Sequence, residues 1–298
     1  MAYMTRKQML TRLSAGALGV GVSSIIPGQH QQSIHGMGAQ ALKGNINHSV
    51  CRWTYGALSL EELCMVVKEI GFSAIDLVGP GEWDILKEHG IDSSMCNGAE
   101  ISLEEGWCEP DYHQTLVDSY TEHIDLVADA GYKNLICFTG NRRGMDEETG
   151  LENCAAGLKK IMSHAEKRGV VIQLELFNSK VDHPDYMADN SGFGVELCER
   201  IGSPNFKLLY DIYHMQISEG DIIRTIRQDH QWFGHYHTAG VPGRNEIDES
   251  QELYYPAIMR AILETGFDGY VAQEFIPTGG STDENVAALR DAVQRCDV

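Results

Sequence analysis

The sequence predicts an α/β protein built as a single (β/α)8 barrel, the TIM-barrel architecture, and two observations lead to that prediction. From about residue 45, short apolar or β-branched runs alternate eight times with longer stretches of helical periodicity. Several of these helical stretches end in a glycine shortly before the next strand, as at Gly71 and Gly169, and glycine supplies the left-handed conformation that stops a helix. Eight β-then-α units with short connections are typical of a closed parallel barrel.

The predicted elements follow one another along the chain. The predicted strands are 46–50, 74–78, 92–96, 134–138, 170–176, 207–212, 232–238 and 269–275. The predicted helices include 60–70, 112–130, 151–167, 194–201, 221–227, 254–265 and 283–293. An open doubly wound sheet is the alternative, but no G-x-G-x-x-G sequence follows the first strand, so its dinucleotide-binding form has no support.

Composition limits the class of protein. The chain has 298 residues, 43% of them hydrophobic, which is enough to bury a large core in one domain. Its formal net charge of −20 repels a phosphate backbone, so we expect no nucleic-acid partner. None of the eight cysteines has CxxC spacing, and burial as small hydrophobic residues is the better interpretation. No segment predicts a membrane span.

Residues 1–44 differ in composition and hydrophobic pattern from the rest of the chain. Three basic residues, Arg6, Lys7 and Arg12, precede a weakly apolar run of small residues and then a polar, glycine-rich stretch. This order predicts an export signal followed by a flexible arm, and Arg6-Lys7 resembles a twin-arginine pair with lysine in the second place. We therefore expect an exported, periplasmic barrel at 45–298. A loosely ordered arm on a cytoplasmic protein is the alternative.

Four consecutive predicted strands, the fifth to the eighth, end in an acidic residue or a histidine. These residues are Glu175, Asp211, His237 and Glu274, about one βα unit apart. Active sites of parallel barrels lie at the C-terminal ends of the strands, and side chains alternate faces along a strand, so all four can point into the barrel mouth. Three carboxylates and one imidazole so close together require a cation. They favour one divalent ion, Mn²⁺ first and Mg²⁺ or Co²⁺ as alternatives.

Short sequences around these residues resemble a known superfamily. The segments 175–178, 210–216, 234–238 and 273–275 are similar to the xylose-isomerase-like barrel superfamily, and within it most similar to the hydroxypyruvate isomerase family. The resemblance covers most of the chain from the first strand onward. It implies a TIM barrel and a metal-assisted isomerisation of the aldose–ketose type.

Carried over residue by residue, the resemblance implies roles for the strand-end residues. The catalytic glutamates fall on Glu175 and Glu274, and all four strand-end residues fall on metal-ligand positions. Hydroxypyruvate isomerases carry glutamine where this chain has His237, and a histidine there is similar to ketose 3-epimerases. The loop that follows, 239–246, is shorter than in either group. These two differences leave the substrate undetermined, but they do not change the ligand set or the reaction type that the resemblance implies.

Four further residues are predicted to contact the substrate. His214, three residues after Asp211, corresponds to a companion histidine in the resemblance. Arg244 lies in the loop after the seventh strand, where it can bind a carboxylate or a hydroxyl group. Trp107 lies in the loop after the third strand, and His48 lies within the first.

The predicted reaction is proton abstraction next to a carbonyl group, followed by return of the proton to the neighbouring carbon of an enediolate. The expected substrate is a small sugar or hydroxy-keto acid. An epimerase or dehydratase acting on a sugar or cyclitol would use the same metal and glutamate pair, and a non-catalytic sugar-binding barrel is a further alternative. The superfamily also contains DNA endonucleases, which the net charge disfavours. Barrels of this kind often form dimers or tetramers, so a homo-oligomer is left open.

Overall fold

The computed structural model describes residues 41–298, and within them it contains eight parallel strands surrounded by helices. Neighbouring strands pair in the order β1-β8-β7-β6-β5-β4-β3-β2. A bridge between Cys51 and Asp76 links the first strand to the second and nearly closes the sheet into a barrel. The predicted fold class, a single (β/α)8 barrel, is confirmed.

The strands and helices of residues 41–298 have the following bounds. The strands are β1 Asn47–Val50, β2 Ala74–Val78, β3 Asp92–Cys96, β4 Asn134–Cys137, β5 Val171–Glu175, β6 Phe206–Asp211, β7 Phe233–Thr238 and β8 Tyr270–Gln273. The helices are α1 Leu60–Ile70, α2 Trp83–His89, α3 His113–Ala130, α4 Glu147–Arg168, α5 Ser191–Ile201, α6 Ile212–Ser218, α7 Ile222–Asp229, α8 Tyr255–Glu264 and α9 Thr282–Cys296.

Local sequence explains where many of these elements begin and end. Ser59 starts α1 with a capping box, in which its hydroxyl accepts the Glu62 N–H and the Glu62 carboxylate accepts the Ser59 N–H. Gly71 ends the same helix at a φ of 109°, a backbone conformation that favours glycine. All eight predicted strands are present, most of them with bounds that differ by a residue or two.

The core lies between the barrel wall and the surrounding helices, and it includes the cysteines. All eight cysteines are buried and unpaired, as the sequence predicts. No helix of residues 41–298 is long and apolar enough to cross a bilayer.

The predicted leader, 1–44, lies outside the described residues except for its last four. Within those four, the Lys43 N–H donates to the Asp297 carboxylate over 2.7 Å, and Leu42 packs against the core.

Candidate active site

The four predicted strand-end residues converge at the C-terminal end of the barrel. Glu175 is the last residue of β5, Asp211 ends β6, His237 lies one residue before the end of β7, and Glu274 directly follows β8. Asp211 and His237 are register partners, and the Glu274 N–H donates to the Thr238 carbonyl, which fixes the end of β8 beside β7. All four side chains are buried, and one ligand-type atom from each lies within 4.8 Å of the others.

The histidine lies at the centre of this cluster. Its Nδ1 is 3.1 Å from Glu175 Oε1 and 3.0 Å from Glu274 Oε2. One oxygen of Asp211 accepts the His214 N–H, which caps α6, while the other, Oδ2, is buried without a protein hydrogen bond. An unpaired buried carboxylate oxygen beside two more carboxylates and an imidazole is the donor set of a divalent cation of the Mg²⁺ or Mn²⁺ class. These residues therefore fit the metal that the superfamily resemblance implies.

The electrostatic environment separates the carboxylic acids. Burial, followed by the charge of Glu274, raises the pKa of Glu175 to about 7. Burial and the same neighbour raise the pKa of Asp211 well above its ordinary value. Burial acts in the same direction on Glu274, but the positive charges of Arg244 and His237 outweigh it and hold the pKa of Glu274 well below its ordinary value. The cluster therefore contains one carboxyl group with a lowered pKa and two with raised pKa values.

Two side chains position the ionised glutamate. The Trp53 indole donates to Glu274 Oε1 over 3.0 Å, and Arg244 donates to Oε2 over 2.5 Å. The guanidinium of Arg244 also lies over the Trp53 ring, with 5.3 Å between its central carbon and the ring centroid, and it comes within 3.9 Å of Asp211 Oδ2. Arg244 thus stands at the cluster, where the sequence predicts it, although one of its hydrogen bonds goes to a protein carboxylate.

An aspartate that was not predicted from the sequence contacts His237 on the side away from Glu175 and Glu274. Asp76 Oδ1 lies 3.0 Å from His237 Nε2, while its Oδ2 accepts the Ser94 hydroxyl over 2.6 Å and lies 2.9 Å from His235 Nε2. This carboxylate is fully buried. Burial opposes its ionisation, but the two histidines hold the pKa of Asp76 well below its ordinary value. The available signal was a lone acid inside the apolar run of β2.

A cavity of about 330 Å³ opens above the cluster. Its lining includes Glu175, Glu274, Trp53 and Arg244 on the side of the cluster. The rest of the lining, which forms the wall of the cavity, consists of Leu77, Asn97, Glu100, Leu103, Ile136, Phe138, Phe177 and His183. The cavity therefore combines a charged floor with a mostly apolar wall, which is the general character of small-molecule sites.

Three of the four predicted substrate contacts, His48, Trp107 and His214, do not line this cavity. His48 points away from it, because Cys51 faces His237 and side chains alternate along a strand; instead, His48 Nε2 lies 3.8 Å from Asp297 Oδ1. Trp107 has no exposed surface and packs against His113 and Tyr120 of α3. The loop after β3 turns inward at this tryptophan, so its ring fills the core and forms no wall of the pocket.

His214 is near the cluster, as predicted. Its Nε2 lies 3.7 Å from Asp211 Oδ2, and its ring is fully buried. Asn178, in the loop after β5, contacts the other ring nitrogen over 2.7 Å.

Comparison with known proteins identifies the family of the chain. The family described as xylose isomerase-like TIM barrel matches residues 66–292, most of the barrel. The chain belongs to this family. The predicted superfamily resemblance is thus confirmed.

Among curated relatives, a 2-oxo-tetronate isomerase of Cupriavidus necator is 35% identical over 40% of this chain and 45% of its own length. A putative hydroxypyruvate isomerase of Xenopus laevis is 30% identical over 76% of this chain and 88% of its own. The first relatives are matched over about half of their length. The relatives are named isomerases, which supports the prediction of an isomerase at the level of the family.

Solved structures agree on the fold. An AP endonuclease, family 2, of Brucella melitensis superposes with a TM-score of 0.71 at 21% identity, over 82% of this chain and 97% of that one. A D-psicose 3-epimerase of Clostridium cellulolyticum H10 gives a TM-score of 0.66 at 18% identity, over 84% and 92% of the two chains. At these identities the likeness concerns the barrel alone.

Proposed function

We propose that this barrel is a divalent-metal-dependent isomerase that moves a proton between neighbouring carbons of a small hydroxy-carbonyl compound. One observation carries the proposal: two glutamates flank the same histidine nitrogen at 3.1 and 3.0 Å while their surroundings push their pKa values in opposite directions. Titratable pairs separated in this way are characteristic of acid–base sites. A purely sugar-binding barrel has no need of such a pair.

The two glutamates have different parts in this proposal. One glutamate takes the proton from the substrate carbon and the other returns it, and Glu274, which Trp53 and Arg244 hold in its ionised form, is the less basic of the two. Glu175, with a pKa raised to about 7, exchanges a proton readily near neutral pH and can return one to the neighbouring carbon. In the reverse direction the roles exchange.

Glu175, Asp211, His237 and Glu274 would hold the metal ion, and Mn²⁺ is the proposed ion, with Mg²⁺ or Co²⁺ as alternatives. When bound, such an ion supplies Lewis-acid polarisation of the substrate's carbonyl oxygen. The chain's own contribution is to orient the substrate against the two glutamates.

The first candidate substrate is a hydroxy-keto acid, which the names of the curated relatives support. A sugar or cyclitol, turned over by an epimerase or dehydratase, is the second candidate, and the cavity favours it. The cavity's 330 Å³ exceeds what a three-carbon acid needs, and its wall includes Glu100 among apolar side chains. That wall suits a larger, uncharged molecule with an apolar face.

Deuterium exchange tests the proposal directly. Metal-stripped protein, reloaded with Mn²⁺, is mixed in D₂O with hydroxypyruvate and a panel of ketoses and cyclitol ketones, and NMR follows label at carbon. We expect metal-dependent uptake that Glu175→Gln and Glu274→Gln abolish. Glu264→Gln, an exposed glutamate of α8, is the matched control and should exchange normally. Absence of exchange with every compound, despite stoichiometric metal binding, would refute the enolising chemistry.

We further propose that residues 1–44 comprise an export signal followed by an arm, on the composition of that segment alone. The mass of the mature protein purified from its source tests this. An uncleaved chain in the cytoplasm would refute it.

A further inference from the structure

The ring of His214 lies between the ligand cluster and the loop that follows β5. Its Nε2 faces the cluster, 3.7 Å from Asp211 Oδ2, and has no protein hydrogen bond. Its Nδ1 faces away from the cluster and lies 2.7 Å from the side-chain nitrogen of Asn178. Both residues are fully buried. Which ring nitrogen carries hydrogen decides whether His214 offers the cluster a hydrogen-bond donor or a lone pair.

The loop fixes the orientation of the Asn178 amide. Its Oδ1 accepts two backbone N–H groups, from Val181 over 2.9 Å and from Asp182 over 3.1 Å. Its Nδ2 donates to Asp182 Oδ2 over 2.7 Å. A reversed amide would place its NH₂ against two N–H donors and its oxygen against a carboxylate. The hydrogen-bond network therefore assigns this amide unambiguously.

The orientation of the amide in turn fixes the histidine. The second hydrogen of Asn178 Nδ2 points to His214 Nδ1, and a ring nitrogen that accepts a hydrogen bond carries no hydrogen. Asp182 Oδ2 is the neighbouring acceptor, but it lies 3.9 Å from Nδ1, beyond hydrogen-bond range, and already accepts from Asn178 and from the Tyr213 hydroxyl. Nδ1 is thus bare, and the ring's single hydrogen lies on Nε2.

We propose that Asn178 is a positioning residue that holds His214 as the neutral Nε2–H tautomer, so that the ring presents a hydrogen-bond donor to a substrate oxygen at the cluster. His214 is then not a further metal ligand, because its cluster-facing nitrogen has no free lone pair. The part of this inference that concerns the substrate rests on the proposed function. A preorganised donor at this point stabilises negative charge that develops on a substrate oxygen during proton transfer.

Nitrogen NMR of the full, Mg²⁺-loaded protein, labelled with ¹⁵N-histidine, tests the tautomer. Mg²⁺ is diamagnetic, and the His214 signals are identified by their loss in His214→Gln. We expect the wild-type spectrum to show a bare Nδ1 and a protonated Nε2. Asn178→Asp, made together with Asp182→Asn so that no carboxylate faces another, keeps the shape and the acceptor for the loop N–H groups but puts an oxygen against Nδ1, so Nδ1 should gain a proton. Asp182→Asn is the control, because it leaves the Asn178 amide in place and should preserve the wild-type tautomer.

Two outcomes would overturn the proposal: a protonated Nδ1 in the wild type, or a bare Nδ1 that persists in Asn178→Asp made together with Asp182→Asn. The wild-type spectrum decides the tautomer even if the variants fail to fold.

Deuterium exchange supplies the second arm. A glutamine amide reaches about as far as Nε2 and an asparagine amide about as far as Nδ1, so His214→Gln should retain more exchange than His214→Asn. We expect His214→Asn to lose about 100-fold in rate, the cost of one missing donor to a developing oxyanion. Equal losses in the two variants would overturn the donor role. If the tautomer is as expected but no compound exchanges in the wild type, the tautomer assignment is supported and the proposed function fails.

Discussion

Substitution of Asp76 by asparagine should weaken metal binding without removing any residue of the four-ligand cluster. Asp76 touches His237 on the side away from Glu175 and Glu274, over 3.0 Å. A carboxylate there keeps hydrogen on Nε2 and leaves the lone pair of Nδ1 directed at the cluster, where a metal would bind. Asparagine has nearly the same shape and keeps an oxygen for His237, while its NH₂ group takes the place of the oxygen that faces His235 and Ser94.

The expected size of the effect follows from the contacts of Asp76. A hydrogen bond to a charged group contributes about 1.5–3 kcal/mol and one between neutral groups about 0.5–1.5 kcal/mol. Converting the Asp76–His237 bond from the first kind to the second therefore costs roughly 1.4 kcal/mol, about a tenfold increase in Kd for the metal. The Ser94 hydroxyl can rotate to meet an amide, which limits the cost to stability.

Calorimetric titration of Mn²⁺ into metal-stripped protein measures this change. The matched control is Asp297→Asn, because Asp297 is also a buried aspartate beside a histidine, His48, but lies away from the cluster. We expect wild-type metal affinity in Asp297→Asn and a Kd about tenfold higher in Asp76→Asn, with circular dichroism unchanged in both. Wild-type affinity in a well-folded Asp76→Asn would refute the orienting role, and an equal loss in the control would show that the effect is not specific to the cluster.

Three other predictions follow from the same contacts. Burial and the charge of Glu274 raise the pKa of Glu175, to about 7, and that of Asp211. Burial opposes a charge on His237, but Glu274 and its other neighbours outweigh burial and raise the pKa of His237 as well. All three must lose protons to bind a cation, so the Kd for Mn²⁺ should fall as pH rises through 7, and a Kd independent of pH would contradict this. Trp53→Phe removes the donor to Glu274 and should lower kcat/KM for deuterium exchange about tenfold at unchanged stability; a wild-type value would show that the bond is dispensable. Burial lowers the pKa of His48 from 6.5 to about 4, so the unfolded chain binds a proton at a higher pH than the folded chain does. The free energy of unfolding should therefore fall by up to about 3 kcal/mol as pH falls from 6.5 to about 4. In denaturant titrations, His48→Gln should reduce this dependence of the free energy of unfolding on pH. An equally steep dependence in the variant would show that other groups cause it.

The barrel could be predicted from sequence because strands and helices have different periods and glycines mark many of the helix ends. Two helices were missed for local reasons. Helix α6, Ile212–Ser218, follows β6 without a loop, so one continuous buried run, 208–215, contains the end of a strand and the start of a helix. Helix α2, Trp83–His89, has only seven residues, too few for helical periodicity to be recognised.

The candidate site also contains residues that the sequence locates and residues that it does not. The four strand-end residues could be located because parallel strands end at one rim, which requires only the order of the elements and the parity of side chains. The alternation of side chains along β1 also explains why His48 points away from the cluster. The sequence does not show which residues of β1 face the cluster, and the contact between Cys51 and His237 in the structure does. Asn178 could not be assigned a role from sequence, since its contact with His214 depends on the path of a loop.

The contrast between strand-end residues and loop residues also affects the choice between an isomerase of hydroxy-keto acids and an enzyme acting on sugars. The charged floor suits any reaction that begins with proton abstraction beside a carbonyl, so it does not select among them. Selection depends on the wall of the cavity, which includes Leu103 and Glu100. Arg244 is the one positively charged lining residue within the described chain, and it is already paired with Glu274. A carboxylate at the far end of a substrate would therefore meet an acid, which favours a neutral sugar or cyclitol over a longer keto acid.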